Sequence, residues 1–419
     1  MKVIIIISFF LLPLTWSAVS SGAPTVTLPP EPTPDQPRPA APKSFLQLPR
    51  ESQIEVPLEQ EPLTGTALGG YGELTFNAPS NGPNIVDLRR MVLFVGHNFS
   101  PKFRLYSEFE LEHAVTSSSD QGEFAIEQAF LDYLAWKPLN FRIGLLLAPV
   151  GIVNVYHEPP TFNGVDRSAT DTVIIPTTWR EPGLGIFGGY KWLRYQLYLV
   201  NGFNAKGFTA AEGLRGGHQE AQLAIGRDWG VVARLEAWTL WAGLTGGVSY
   251  YVSRADQGDS IFRGSDGDSV TVQLGETDVR LRHQGFEARA EAAVVSIGGA
   301  RRLNRGLQSL STEPIDPVAS LLFGAYVEGG YNLLRPAKLR SGVQLVAFGR
   351  YEFVDTQLQM PMGYSRTLGN QRHILTLGLT FRPIAEVALK FDYQHFWTDS
   401  DKTADANIDS YNAGLAFMF

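Results

Sequence analysis

The chain has 419 residues, 44% of them hydrophobic and 18% charged, with no cysteine and a formal charge of −7. Disulfides, thiolate metal sites, cysteine nucleophiles and a lipid-modified cysteine anchor are excluded, and the acidic balance offers no basic patch to nucleic acid. A mean hydropathy of −0.06 is too polar for a bundle of membrane helices, but it suits a barrel with an apolar outside and a polar inside.

The first elements in chain order are not folded structure. Lys2 followed by the uncharged apolar run 3–12 and the small residues 17–23 reads as a signal peptide, assigned to 1–22. The run is shorter than the ~20 residues a spanning helix needs. Residues 23–64 carry prolines at 24, 29, 30, 32, 34, 37, 39, 42, 49, 57 and 62. Proline removes backbone donors and fixes φ, so this segment is expected to be a disordered periplasmic spacer.

From Gly65 to Phe419 apolar residues recur every second position. Phe103, Leu105, Phe109 and Leu111 oppose Arg104, Tyr106, Glu108, Glu110 and Glu112. Leu375, Leu377, Leu379 and Phe381 oppose Thr376, Gly378, Thr380 and Arg382, and Tyr411, Ala413, Leu415, Phe417 and Phe419 oppose Asn412, Gly414 and Ala416. Period two with one apolar face is a half-buried strand, and these segments match the ~9–11 residues of a tilted membrane strand. The alternation blurs in 86–98, 123–136 and 218–238.

The connections alternate in length. Short turns are expected at 98–102, 137–140, 191–193, 238–241, 283–285, 335–338 and 382–384. Long polar loops are expected at 78–85, 115–122, 150–180, 203–218, 254–269, 299–319, 355–370 and 398–407. This is the pattern of an outer-membrane barrel with periplasmic turns and extracellular loops, and the long loops imply about sixteen strands. The predicted fold is therefore all-β, a transmembrane antiparallel up-and-down barrel over 65–419, wide enough for an aqueous channel. Trp136, Tyr190, Trp192, Trp238, Trp241, Tyr351 and Trp397 sit near strand ends, as a membrane girdle places them.

The third long loop is unusual. Phe162, Val173, Ile174, Ile175 and Trp179 make it apolar, which suits a segment folded inward. Between Glu127 and Gly188 the pieces EQAFLDY, FRIGLLLAPVGIVN, YHEPPTFNGVDR and IIPTTWREPGLGIFG resemble the phosphate-selective porin O/P family. That resemblance implies an outer-membrane location in a Gram-negative bacterium, a third loop that narrows the pore, a homotrimer, and a terminal aromatic residue that serves assembly. Partners implied are outer-membrane lipids, lipopolysaccharide and small ionic solutes, with phosphate among them.

Phosphate specificity is not carried over by the residues themselves. Inward positions carry Arg104, Arg142, Arg194, Arg234, Arg280, Arg282, Arg289, Arg340, Arg350, Arg382 and Lys390. They also carry Glu108, Glu110, Glu112, Asp132, Glu236, Glu276, Asp278, Glu287, Glu291, Glu328, Glu352 and Asp392. A ring of one sign sets ion selectivity; mixed signs give mild selectivity or pair along the wall. Candidates to line the constriction are His157, Glu158, Asp166, Arg167 and Asp171, with Arg104, Glu108, Glu110 and Arg142 on the wall. The bland alternative is that Arg167 and Arg180 pair with Asp166 or Glu181 and pin the loop. Asn163–Gly164 and Pro159–Pro160 are read as turn formers. Arg89 or Arg90 and Arg142 are the expected partners of the Glu108, Glu110 and Glu112 carboxylates, with Ca²⁺ as the lesser option.

No cofactor or metal is called for. Gly183, Gly185 and Gly188 fit GxGxxG, but no helix follows to receive a phosphate. The Asp-rich stretches 256–268 and 399–409 lack EF-hand spacing. The expected function is passive diffusion of small polar or ionic solutes. The alternatives are a lipase-like barrel enzyme and a plugged structural barrel; no GxSxG is present for the former, so no enzyme is expected.

Overall fold

The computed structural model describes residues 64–419 apart from 118–119, 239–242, 265–268, 338–341 and 401–405. The expected signal peptide and nearly all of the proline-rich segment lie outside the described residues, as do Trp241 and Arg340.

Among the described residues, sixteen strands follow one another in sequence. They are β1 (Gly65–Pro79), β2 (Ile85–Asn98), β3 (Phe103–Glu112), β4 (Phe124–Trp136), β5 (Leu139–Leu147), β6 (Arg180–Tyr190), β7 (Leu193–Asn201) and β8 (Trp229–Trp238). The second half is β9 (Leu244–Arg254), β10 (Thr271–His283), β11 (Phe286–Gly298), β12 (Leu321–Asn332), β13 (Gln344–Gln359), β14 (Gln371–Ile384), β15 (Val387–Thr398) and β16 (Asn407–Met418). Each pairs antiparallel with its sequence neighbours, and β1 pairs with β16 to close the barrel, in register from Tyr71 opposite Met418 to Pro79 opposite Ser410. The terminal residue completes the seam. Gly70 N donates to Phe419 O at 3.0 Å, and Phe419 N donates to Gly70 O at 2.9 Å. Closure leaves no sheet edge, which is what permits strands to cross hydrocarbon.

The period-two pattern maps onto two environments. In β14, Leu377 and Leu379 are exposed on the outside, and Thr376 and Thr380 are fully buried inside. In β15, Leu389 and Phe391 face out while Ala388, Lys390 and Asp392 are buried. An outward belt of Leu, Val, Ile and Phe around a closed barrel requires a lipid surround. The molecule is an outer-membrane β-barrel. His373 stacks on Trp397 at 5.2 Å and accepts or donates to Tyr351 Oη at 2.8 Å, so these outward residues form part of a girdle rather than a site.

The long and short connections fall at opposite ends, with five corrections. The first long loop is only residues 80–84, because Asn77 and Ala78 stay paired with β16. The fourth extends over 202–228, since Glu220, Ala221 and Leu223 take positive φ and cannot continue a strand; this is the stretch where the alternation blurs. The sixth, 299–320, contains the helix α1 (Ala300–Leu310), whose Leu303 is buried and whose Gly306 lies against the Phe262 ring. On the short side, Arg382, Pro383 and Ile384 belong to β14, and the connection from β12 to β13 runs over 333–343.

Leu377 lies mid-strand on the lipid face, so L377R is expected to lower stability by about 2–4 kcal/mol, measured by denaturant-induced unfolding from lipid vesicles. Unchanged stability would contradict the assigned face.

Candidate functional site: the loop across the lumen

The connection 148–179 leaves β5, crosses the barrel interior and returns to β6. Its base is closed by one buried side chain. Asn154 Nδ2 donates to Ala148 O at 2.7 Å and Trp179 O at 3.1 Å, and Asn154 Oδ1 accepts from Trp179 N at 2.7 Å. Beside it the buried Trp179 stacks on Phe203 at 4.8 Å and meets Tyr251 edge-on at 4.7 Å. His218, from the fourth long loop, stacks on Phe203 at 5.7 Å, and burial pushes its imidazole below the ordinary value. Arg215 fastens the returning limb by donating to Thr172 O at 3.1 Å and Thr177 O at 2.7 Å. An aromatic and hydrogen-bonded hinge therefore sets the direction in which the loop enters.

The loop then meets strands on the far side. Asn163 Nδ2 donates to Glu287 on β11 and Glu328 on β12, both at 3.1 Å. Its Oδ1 accepts from Arg382 on β14 at 2.9 Å, and its carbonyl accepts from Thr380 Oγ1 at 2.9 Å. Lys390 Nζ on β15 donates to Gly164 O at 2.8 Å and sits 3.8 Å from the Phe162 ring centroid. Val165 N donates to Asp392 Oδ2 at 2.7 Å. Further on, Asp166 pairs with Arg89 on β2 at 2.7 Å, and Ala169 N donates to Glu352 on β13. Tied at its base between β5 and β6, the segment thus spans to β11–β15 and to β2. Wall side chains satisfy its backbone at Asn163 O, Gly164 O, Val165 N and Ala169 N, and such pairing is the condition for burying a loop.

The wall is a set of paired charges. Arg90 on β2 stands 2.9 Å from Glu73 on β1 and 3.1 Å from Glu110 on β3. Arg142 on β5 pairs with Asp132 on β4 at 2.7 Å and lies 3.8 Å from the Phe130 centroid. Arg289 pairs with Glu328 at 3.2 Å, and Arg350 with Glu352 at 2.7 Å. On the opposite arc, Arg234 on β8 reaches over β9 to Asp278 on β10 at 2.6 Å. A Cβ at Gly247 on β9 would sit 2.3 Å from Asp278 Oδ2 and 2.4 Å from Arg234 Nη2, so only glycine leaves that bridge room.

The candidate residues divide into two groups. His157, Glu158, Asp171, Glu108 and Glu110 are all buried at the junction of loop and wall, not on open lumen. Asp171 holds Ser168 at 2.7 Å within the loop's single π-turn, Thr170–Ile174. Arg104, Arg142, Asp166 and Arg167 keep part of their surface accessible. Three pairings differ from expectation. Arg142 turns to Asp132 on the adjacent strand rather than to the β3 glutamates. Asp166 takes Arg89, and Arg180 takes Glu220 at 3.2 Å, so neither loop arginine makes the expected pair. Arg167 instead donates to His157 O at 3.1 Å and Thr178 Oγ1 at 3.3 Å. Asn163 is more than a turn former, and Asn154 carried no advance signal beyond its place at the foot of an apolar loop.

No family model matches the sequence. An uncharacterized protein of Aquifex aeolicus (strain VF5) is 34% identical over 362 residues, covering 85% of this chain and 80% of that protein. Among solved structures, the anion-selective porin from Comamonas acidovorans aligns with a TM-score of 0.54 and 8% identity over 85% of this chain and 99% of its own. The outer membrane channel DcaP of Acinetobacter baumannii gives 0.53 and 10% over 86% and 100%. The in-vitro folded trimer form of OmpT, an outer membrane protein of Vibrio cholerae, gives 0.50 and 10% over 85% and 99%. At these identities the likeness is one of fold.

Asn154 accepts from the buried Trp179 N–H and donates to the Ala148 and Trp179 carbonyls, which also accept from Val150 N and Ala148 N, so N154A orphans one amide at about 1–3 kcal/mol. Hydrogen exchange of 155–178 is expected to rise while the strands stay protected; unchanged protection would show that Asn154 does not hold the base.

Proposed function

The chain belongs to one family with the uncharacterized Aquifex aeolicus protein, and we propose that it is an outer-membrane porin through which small polar or ionic solutes diffuse past an inward-folded loop. The observation that carries this is the segment 148–179 tied across the lumen by Asn163, Gly164, Val165 and Asp166. The fold shared with a porin and a channel supports the same reading. On it, a signal peptide at 1–22 exports the chain, 23–64 is a periplasmic spacer, and the long loops face outward beside lipopolysaccharide. The trimer form of the Vibrio cholerae protein supports a homotrimer. The reading assigns no catalytic step and no cofactor.

Selectivity follows from the charge pairing. The resemblance of 127–188 to phosphate-selective porins supports anions among the solutes. The arginines at 90, 142, 234, 289 and 350 each face a carboxylate within 3.2 Å. Paired charges cancel at a distance and leave a weak net potential. The passage is therefore mildly selective, tuned by Arg104, Asp166 and Arg167, whose side chains retain accessible surface.

In planar bilayers under a KCl gradient, the purified protein is expected to conduct stably with a reversal potential near zero. R167E is expected to move the reversal potential toward that of a cation-selective channel. Folded protein that does not conduct would overturn the porin reading, and a strong anion preference blocked by phosphate would overturn the weak selectivity.

A further inference from the structure

One cluster at the loop–wall junction has a composition that pinning alone does not explain. Glu108 on β3, Glu127 on β4 and His157 on the loop converge, with their ligand atoms all within 4.8 Å of one another. All three are buried, Glu127 completely. His157 Nε2 lies 3.4 Å from Glu108 Oε1 and 3.3 Å from Glu127 Oε2. Both separations are long for a charge-assisted hydrogen bond, which closes to about 2.7–2.9 Å. They match the edge of a tetrahedron around a metal, because ligands about 2.1 Å from zinc stand roughly 3.4 Å apart.

Two further observations point the same way. Glu127 Oε1 is buried and receives no hydrogen bond among the described residues, and the same holds for Glu108 Oε1 and Glu158 Oε2. A buried carboxylate oxygen without a donor is costly unless a cation meets it. The local charge is also unbalanced. Glu108, Glu110, Glu127 and Glu158 are buried here, the cations facing them are Arg90 and Arg167, and His157 as a metal ligand is neutral. A divalent ion makes up that difference.

We propose that Glu108, Glu127 and His157 bind one divalent metal ion of the zinc class, which fastens the pore loop to the β3–β4 wall. Two carboxylates and an imidazole suit a borderline cation, and the imidazole selects against Ca²⁺ and Mg²⁺, which take oxygen ligands. Tyr71 Oη, 3.3 Å from Glu127 Oε2, and Gln128 Nε2, which donates to Glu108 Oε2, orient the two carboxylates from outside the ligand set. Because His157 comes from the loop and the two carboxylates from the paired strands β3 and β4, the ion joins the loop to that stretch of wall. The site stands apart from the channel reading, since metal retention is measured without conductance.

The test uses the full untagged chain in detergent, stripped by a chelator and then dialysed against Zn²⁺. Elemental analysis is expected to find about one zinc ion per folded chain. H157Q and E127Q are each expected to lower zinc affinity by at least about tenfold while keeping heat-modifiable gel migration. No retained zinc in the wild type, or retention unaffected by both variants, would overturn the proposal. Should either variant fail to fold, anomalous diffraction at the zinc edge from zinc-soaked wild-type crystals decides: a peak among the three ligands upholds the site, and peaks only elsewhere overturn it.

Discussion

In hydrocarbon every backbone N–H and C=O must find its partner within the protein. Here that constraint is met by the seam between β1 and β16, where Gly70 and Phe419 exchange two hydrogen bonds and the last residue of the chain becomes part of the ladder. Gly70 is in close quarters with the ring it meets: a Cβ there would lie 3.0 Å from Phe419 Cζ and 2.2 Å from Val92 O. Once the sheet is closed, alternate side chains have no choice of environment. One set meets lipid, and the other is forced inside whatever its polarity.

The interior inherits the consequences. Polar and charged side chains brought inside lose solvent, so they must pair or be matched by something else. Part of the matching is along the wall, as in Arg142 with Asp132 and Arg90 with Glu73 and Glu110. The remainder is supplied by the loop 148–179. Its exposed backbone groups need partners as much as the wall does, and Asp392 and Lys390 provide them at Val165 N and Gly164 O. The buried Lys390 is tolerable because it has both a carbonyl and the Phe162 ring. Loop and wall thus complete each other, and the passage is whatever space their fit leaves.

The barrel was legible because its signal is repeated many times. Period two in β14, β15 and β16 and the alternation of long and short connections each follow from closure, so they reinforce one another. The inward course of 148–179 was legible from Val173, Ile174, Ile175 and Trp179, too apolar for a solvent loop. Its partners were not. Which wall residue Asp166 or Asn163 meets depends on how far the loop reaches across the lumen, and strand alternation carries no information about that distance. Arg142 points inward as the alternation requires, but its carboxylate is Asp132 on the paired strand β4 and not one of the β3 glutamates. The helix α1 and the extended 202–228 loop were hidden for a similar reason. Their buried residues, such as Leu303 and Leu214, are set by contacts distant in sequence.

The measurement that bears most directly on a loop lying across the barrel is a cross-link between its tip and the far wall. The chain has no cysteine, so an introduced pair reports alone. Val165 Cγ1 and Cγ2 lie 3.5 and 3.6 Å from the position of a Cβ at Gly414 on β16, so a sulfur in the place of either methyl comes next to a sulfur carried at 414. Mild oxidation of the V165C/G414C double variant, folded in detergent, is predicted to form an intramolecular disulfide that shifts its mobility on a non-reducing gel. A folded barrel in which these two positions do not cross-link would contradict the inward loop, and with it the basis for a constricted channel.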